Sequence, residues 1–180
     1  MLDRAATALD LEHDAIELLT NDFLPVGTKL ARVARRFDEG LNMADIIQAC
    51  RNAWTACGLQ PLLGTAVQLT PSITGYSLLY PYSDNYLDQD GVPNDEKLRF
   101  SERFRRLLQG EELALANRRE RALQLLIAMI EGQYSRVRYP QVFESLLAIH
   151  RAQEQSVEQP GIGGYSRYCR GVARKAGALS

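Results

Sequence analysis

The chain has 180 residues, of which 46% are hydrophobic and 24% are charged, and its formal net charge is -1. This length suits one domain with a sizeable core, and the composition is that of an ordinary globular protein. A net charge so close to zero provides no general attraction to nucleic acid or to an anionic membrane surface. The sequence therefore predicts neither of these as a partner.

The three cysteines, Cys50, Cys57 and Cys169, are widely spaced, and the only histidines are His13 and His150. This set contains no CxxC pair, which argues against a zinc site or a disulfide framework and favours a reducing compartment. The apolar runs are far too short to cross a bilayer, and the acidic amino terminus is wrong for a targeting peptide. We therefore expect a cytoplasmic protein without a membrane span.

Helical signals dominate the first third of the chain. Apolar residues at helical spacing predict a first helix over residues 3–20, and Pro25 predicts the start of a second one. Asn42 is placed to cap a third helix, whose inner face would include Trp54. The segment 58–64 contains glycine and proline and is predicted to be a connection.

Thr70 and Pro71 predict the start of the helix that matters most for function, because threonine is a good N-cap and proline suits the first helical position. We expect this helix to extend to about residue 89. Pro81 lies inside it and leaves the Ser77 carbonyl without its helical partner, which should bend the helix.

The second half of the chain is also predicted to be helical. Residues 91–95 are predicted to form a loop, and a basic helix over residues 95–109 follows it. Leu98 of this helix is expected to point inward. Glu111 and Glu112 predict the start of the next helix, since negative charge favours a helix N-terminus. Pro140 predicts the start of another helix.

The sequence shows no strand-like alternation and no repeat at a fixed period. It therefore predicts one all-α domain over residues 1–180, with Gly161–Gly164 as a turn between helices. Residues 171–180 resemble a small-residue packing helix that stops without a polar tail, whereas natural termini usually end in exposed residues. We therefore expect that the domain is truncated at its carboxyl end.

Asp84 and Asp88 are the strongest functional signal in the chain. On a helix they would lie one turn apart on one face. Two like charges at this spacing destabilise a helix by roughly 0.2–0.5 kcal/mol unless a cation joins them. Mg²⁺ prefers hard oxygen ligands and typically takes one or two carboxylates, with water and phosphate oxygens as its other ligands. The pair thus predicts magnesium and a diphosphate; the alternative is a solvated helix end.

The segment Asp84-Asn85-Tyr86-Leu87-Asp88 has the spacing of a DDxxD motif with asparagine in the second place. It resembles the acidic motif of the class I isoprenoid synthase superfamily, all-α enzymes that ionise or condense prenyl diphosphates. The resemblance implies a multi-helix bundle of the isoprenoid-synthase type, with Asp84 and Asp88 as catalytic acids. It also implies Asp84, Asn85 and Asp88 as Mg²⁺ ligands, with lower metal affinity because asparagine lacks the charge.

Arg174 and Lys175, which precede small residues, resemble the isoprenoid synthase helix that carries a basic residue opposite the acidic motif. The resemblance implies that both bind the substrate diphosphate, although Ala176 stands where the family often has threonine. A solvent-facing basic stripe is the alternative. Tyr86 or Tyr82 would present an aromatic face to a substrate carbocation, and core packing is the alternative for these rings.

The second metal motif that the family carries downstream is absent from this sequence, and the expected truncation would remove it. The resemblance implies the amino-terminal portion of a transferase or lyase, with the fragment inactive on its own. Its chemistry would be Mg²⁺-assisted departure of diphosphate from a small-molecule prenyl diphosphate, followed by cyclisation or condensation. A homodimer is a further expectation. The competing hypothesis is a helical interaction or regulatory domain without catalysis.

Overall fold

The computed structural model describes residues 12–89 and 91–158, and within these ranges every regular element is a helix. In chain order they are α1 (His13–Leu18), a π-helical turn (Leu19–Phe23), α2 (Leu24–Phe37), α3 (Met43–Leu62), α4 (Pro71–Leu87), α5 (Asn94–Leu108), α6 (Arg118–Glu131) and α7 (Pro140–Glu158). The prediction of an all-α protein is confirmed for these residues. None of these helices combines the length and hydropathy that spanning a bilayer requires. The predicted turn at Gly161–Gly164 and the segment after it lie outside the described residues.

Helices α3 and α4 begin where the sequence predicts. Asn42 Oδ1 accepts a hydrogen bond from Asp45 N at 3.0 Å, and Asp45 Oδ2 accepts one from Asn42 N at 3.0 Å, which forms a capping box. At the start of α4, Thr70 Oγ1 accepts a hydrogen bond from Ile73 N at 3.3 Å, and Pro71 occupies the first turn. These caps satisfy N–H groups that have no partner within the helix.

The prediction that Pro25 marks the start of a second helix is confirmed, because α2 begins at Leu24, although the chain stays helical from His13 to Phe37. The π-helical turn changes the hydrogen-bond register just before the proline, and Pro25 then lies in the first turn of α2. A proline is tolerated there because its missing N–H is not needed in the first turn. Local sequence signals placed the proline correctly but did not predict the π turn that joins the two helices.

Helix α3 extends further than expected. It passes through most of the predicted connection at 58–64 and ends at Leu62, shortly before Gly64 adopts a φ of 73°. Glycine reaches that left-handed region at little cost, so Gly64 is a suitable stop signal. Trp54 was predicted on the inner face but is 36% exposed, because its Nε1 donates to Phe23 O at 2.8 Å and holds the indole beside α2.

Helix α4 contains more buried residues than the other helices and packs most extensively against α6 and α3. Gly75 allows the close contact with α6, because a Cβ at this position would lie 2.6 Å from Leu126 O. Pro81 leaves the Ser77 carbonyl without its helical donor, and Asn52 Nδ2 of α3 donates to that oxygen at 3.5 Å. These contacts fix the position of α4 and therefore of its carboxyl end.

A buried ion pair joins α5 to α6. Arg103 Nη2 donates to Glu120 Oε2 at 2.8 Å, Arg103 Nε donates to Glu120 Oε1, and the Glu120 side chain is 4% exposed. Asn117 Oδ1 accepts a hydrogen bond from Glu120 N at 2.9 Å, so α6 begins there rather than at the two glutamates that the sequence predicted. The hydrogen bonds from Arg103 lower the pKa of Glu120, although burial acts in the opposite direction.

Replacing Gly75 with alanine should destabilise the fold, since the added Cβ would meet the Leu126 carbonyl oxygen. Overpacking of this kind typically costs about 1–3 kcal/mol of unfolding free energy. The gain in helix propensity, up to ~1 kcal/mol, offsets only part of it. Denaturant unfolding monitored by circular dichroism measures the difference. Gly91→Ala, where no atom lies within 4 Å, is the matched control; equal stability of the two variants would contradict the close approach of α4 and α6.

Replacing Glu120 with glutamine should destabilise the protein by about 1.5–3 kcal/mol, because Arg103, whose side chain is 29% exposed, then loses charge-assisted hydrogen bonds to its carboxylate partner. Glu102→Gln is the control, since Glu102 forms an exposed pair with Arg105 and solvent screening makes its loss much smaller. Equilibrium unfolding in urea at neutral pH provides both values. Similar losses in the two variants would argue against a special role for the Arg103–Glu120 pair.

The same pair predicts a pH dependence. The pKa of Glu120 in the folded state is lower than its ordinary value of 4.5. Its contribution to stability is therefore present above that value and is lost as the pH falls through the folded-state pKa. The wild-type protein should lose more unfolding free energy than Glu120→Gln between neutral and acidic pH. Parallel pH profiles of the two proteins would show that Glu120 is not the titrating group.

Candidate functional site

The carboxyl end of α4 carries Asp84 and Asp88. A helical hydrogen bond of 2.9 Å from Asp88 N to Asp84 O keeps the two residues one turn apart. The Asp84 side chain is half-buried, and Gln153 Nε2 of α7 donates to its Oδ1 at 3.0 Å. Asp88 is exposed. The pair therefore lies at the edge of the helical bundle, with Asp84 between α4 and α7.

Asn85 contacts a different helix. Its Nδ2 donates to Asp45 Oδ1 of α3, and the other oxygen of Asp45 belongs to the capping box of that helix. An ionised carboxylate only accepts hydrogen bonds, so the amide NH₂ of Asn85 is the group that must face it. The structure therefore brings Asn85 to α3 and Asp84 to α7, and it does not bring the three predicted metal ligands together.

Asp45 gives a physical reason for the asparagine at position 85. Asp45 is 9% exposed, and one of its oxygens lies within hydrogen-bond distance of the Asn85 side chain. An aspartate at position 85 would place two carboxylates against each other in a partly buried site, where one of them would have to take up a proton. Asparagine avoids this repulsion and donates a hydrogen bond instead.

Tyr86 lies against α5 and α6. Its ring packs edge-on against Phe100, with ring centroids 4.7 Å apart. The guanidinium of Arg119 lies 4.2 Å from the centroid of the Tyr86 ring and 5.4 Å from that of the Tyr82 ring. Both aromatic faces thus already contact a cation, which is a favourable arrangement. A substrate carbocation would have to compete with Arg119 for these faces.

Tyr82 is anchored by a carboxylate. Its hydroxyl donates to Asp38 Oδ2 at 3.0 Å, and burial together with this hydrogen bond raises the pKa of Tyr82 to about 12. Burial would also raise the pKa of Asp38, but hydrogen bonds from Gly40 N and the Tyr82 hydroxyl outweigh it and lower that pKa. Tyr82 is therefore a neutral donor and Asp38 an ionised acceptor at neutral pH.

A cavity of about 440 Å³ lies between α5 and α7, beside the end of α4. Leu87 and Leu98 provide apolar wall, and Lys97, Arg105 and Arg151 contribute positive charge. Leu98, which the sequence predicted to point inward, is mostly exposed and lines this cavity. Neither of the two predicted aspartates is among its lining residues.

A buried polar cluster closes one side of this cavity. Ser101 Oγ donates to Glu154 Oε1 at 2.8 Å, and His150 Nε2 lies 3.3 Å from Ser101 Oγ and 3.4 Å from Glu154 Oε1. A hydrolytic triad needs the acid on the imidazole nitrogen remote from the serine. Here the serine and the glutamate both lie beside Nε2, so the cluster joins α5 to α7 without forming such a triad.

Asp84 and Asp88 provide two carboxylates, and sites with so few protein ligands for Mg²⁺ need water and phosphate oxygens to complete the coordination. Among the residues that the structure describes, no group of three His, Cys, Asp or Glu side chains could hold a metal. Arg174 and Lys175, predicted to bind the substrate diphosphate, lie outside the described residues.

Sequence reasoning missed three residues that contact the predicted ones: Asp45, Gln153 and Arg119. Only Asp45 had a local signal, because its spacing from Asn42 is that of a capping box. That signal predicts the cap but not the contact with Asn85, which is 40 residues away. Gln153 and Arg119 lie on helices that the sequence could not position.

Comparison with protein-family models gives no match for this chain, and neither the curated proteins nor the solved structures show a significant similarity to it. Any inference about function therefore depends on the arrangement of the side chains themselves.

Proposed function

We propose that this chain is part of an isoprenoid-synthase-like, Mg²⁺-dependent transferase or lyase that acts on an allylic prenyl diphosphate. The observation that carries the proposal is the position of Asp84 and Asp88, one turn apart at the carboxyl end of the helix richest in buried residues. Negative charge at a helix carboxyl end is electrostatically unfavourable, so the pair lowers the stability of the helix end. A bound divalent cation would reverse this effect.

In this proposal Asp84 and Asp88 would hold Mg²⁺, and the ion would supply positive charge that stabilises a departing diphosphate. Gln153 fixes one oxygen of Asp84 by its hydrogen bond. Asn85 acts through Asp45 as a positioning group that holds the end of α4 against α3. Cyclisation or condensation of the resulting carbocation would follow.

A role for two further residues and a cellular location are also part of the proposal. Arg174 and Lys175 would neutralise the leaving diphosphate. A cytoplasmic location is part of the proposal, and its support is that Cys50 and Cys57 are both free thiols.

The second candidate is a helical interaction domain without catalysis. The observations that favour it are the exposure of Asp88 and an apolar surface at the end of α3, formed by Leu59, Leu62 and Leu63. Leu62 is 81% exposed, and clustered apolar side chains of this kind mark interaction surfaces. The same surface supports the expectation of a homodimer, which sedimentation equilibrium would test.

The two candidates differ in whether diphosphate binding depends on Mg²⁺. Isothermal titration of the full chain with inorganic diphosphate, with and without Mg²⁺, should show tighter binding when the metal is present. Asp84→Asn should remove at least tenfold of this enhancement, since a ligand carboxylate is lost. Asp95→Asn is the control, because Asp95 is an exposed aspartate paired with Arg99.

Two results would contradict the proposal of a Mg²⁺-dependent enzyme. If Mg²⁺ does not change diphosphate binding, or if both variants keep the same enhancement, the aspartates do not form the site. The interaction domain would be the remaining candidate.

Asn85→Asp restores the full acidic motif and should reveal the repulsion from Asp45. One carboxyl of the new pair acquires a raised pKa, so the variant should match the wild-type protein at acidic pH and lose stability as the pH rises through that value. Urea unfolding at a series of pH values measures this loss. Asn94→Asp, at an exposed position in the first turn of α5, is the control. An Asn85→Asp variant as stable as wild type at neutral pH would rule out the Asp45 contact.

A further inference from the structure

A groove of about 620 Å³ lies beside Tyr86, between α5 and the start of α6. We call it the arginine groove, because Arg99, Arg103, Arg118 and Arg119 line it. The carboxylates in its lining are Glu96 and Glu120, and Asp95 and Asp38, outside the lining, pair with Arg99 and Arg118. The groove therefore gathers four guanidinium groups that are engaged by their partners to different degrees.

Arg103 is not available to an anion, because the buried Glu120 neutralises it. Arg119 is the more available guanidinium. Across residues 12–89 and 91–158, Arg119 forms no ion pair, and its guanidinium stacks on the rings of Tyr86 and Tyr82. Stacking uses the flat face of a guanidinium and leaves the N–H groups around its edge available for an anion. Arg119 is therefore an oriented donor in the wall of the groove.

Arg118 and Arg99 add charge that is only weakly engaged. Arg118 is 73% exposed, and its Nη2 lies 3.4 Å from Asp38 Oδ1, a carboxylate that Gly40 and Tyr82 already hydrogen-bond. Arg99 pairs with Asp95 at 2.9 Å on the surface, where both side chains are largely exposed. Exposed pairs of this kind contribute little to stability, so an anion can replace the carboxylate at small cost.

We propose that the arginine groove binds a small molecule that bears a phosphate group, with Arg119 as the central contact and Arg118 and Arg99 beside it. Arginine forks match the geometry of phosphate oxygens and form charge-assisted hydrogen bonds with them. The volume lies within the range of small-molecule sites. The aromatic rings of Tyr86 and Phe100 form the apolar part of the wall.

This site is independent of the proposed magnesium site. Its anion contacts are arginines, so binding requires no metal, and neither Asp84 nor Asp88 is in its lining. The two proposals can therefore fail separately. Asp84→Asn should leave phosphate binding in the groove unchanged while it removes the Mg²⁺-dependent enhancement of diphosphate binding.

Isothermal titration of the full chain with inorganic phosphate, at constant ionic strength and without divalent cations, tests the proposal. The wild-type protein should bind saturably, and Arg119→Gln should bind at least tenfold more weakly, because a charge-assisted contact to the phosphate is lost. Arg138→Gln is the matched control, since Arg138 stacks on Tyr139 at 5.5 Å and does not line the groove. Urea unfolding of both variants verifies that they are folded.

Three outcomes would overturn the proposal: no saturable phosphate binding by the wild-type chain, equal weakening in the two variants, or binding that disappears in Asp84→Asn. A glycerol phosphate titration extends the test to phosphate esters and should give the same dependence on Arg119. Titration with single-stranded oligonucleotides of increasing length tests a macromolecular ligand. If their affinity rises with length while phosphate and glycerol phosphate do not bind, the groove binds a nucleic acid and the small-molecule proposal is wrong.

Discussion

The close approach of α4 and α6 is the constraint on which the rest of the structure depends. At Gly75 the two helices come so near that a Cβ would lie 2.6 Å from the Leu126 carbonyl oxygen. Backbones at this distance cannot slide or rotate without a clash, so the register of α4 is fixed along its whole length. The register in turn brings Tyr86, near one end of α4, against Arg119, near the start of α6.

The last turn of α4 distributes its side chains among several helices. Successive residues of a helix point about 100° apart, so neighbours in sequence contact different partners. Asp84 meets α7, Asn85 meets α3, Tyr86 meets α5 and α6, and Leu87 lines the cavity between α5 and α7. Asp84, Leu87 and Asp88 follow the i, i+3 and i+4 spacing of one helix face. The five-residue motif therefore consists of two carboxylates one turn apart and an intervening segment that anchors the helix end to its neighbours.

The parts of the fold that depend on local chemistry were predictable from the sequence. Asn42 and Thr70 were predicted as caps because their side chains bond N–H groups three residues away, and that relation is visible in the sequence. The start of α6 was misplaced, since negative charge at Glu111 and Glu112 was weighted above Asn117. The cap at Asn117 prevails because it forms an actual hydrogen bond at 2.9 Å, whereas the charge effect is diffuse.

Contacts between distant segments could not be predicted in the same way. The bond from Asn85 to Asp45 spans 40 residues, and the bond from Gln153 to Asp84 spans 69. Each depends on how helices pack, and packing is determined by features such as Gly75 that have no signature in a single sequence. The sequence therefore indicated which residues could carry chemistry, while their partners, and with them their orientation, required the structure.

The net charge of the chain does not indicate how positive and negative side chains are distributed around the end of α4. A net charge of -1 argues against attraction to extended polyanions, because that attraction depends on the field of the whole molecule. It does not limit a local site, where a few oriented donors within a concave wall act at short range. Tyr86, which lines the arginine groove, lies between Asp84 and Asp88 at the carboxyl end of α4. The register of α4, fixed at Gly75, therefore holds part of the groove wall and two carboxylates at the same helix end.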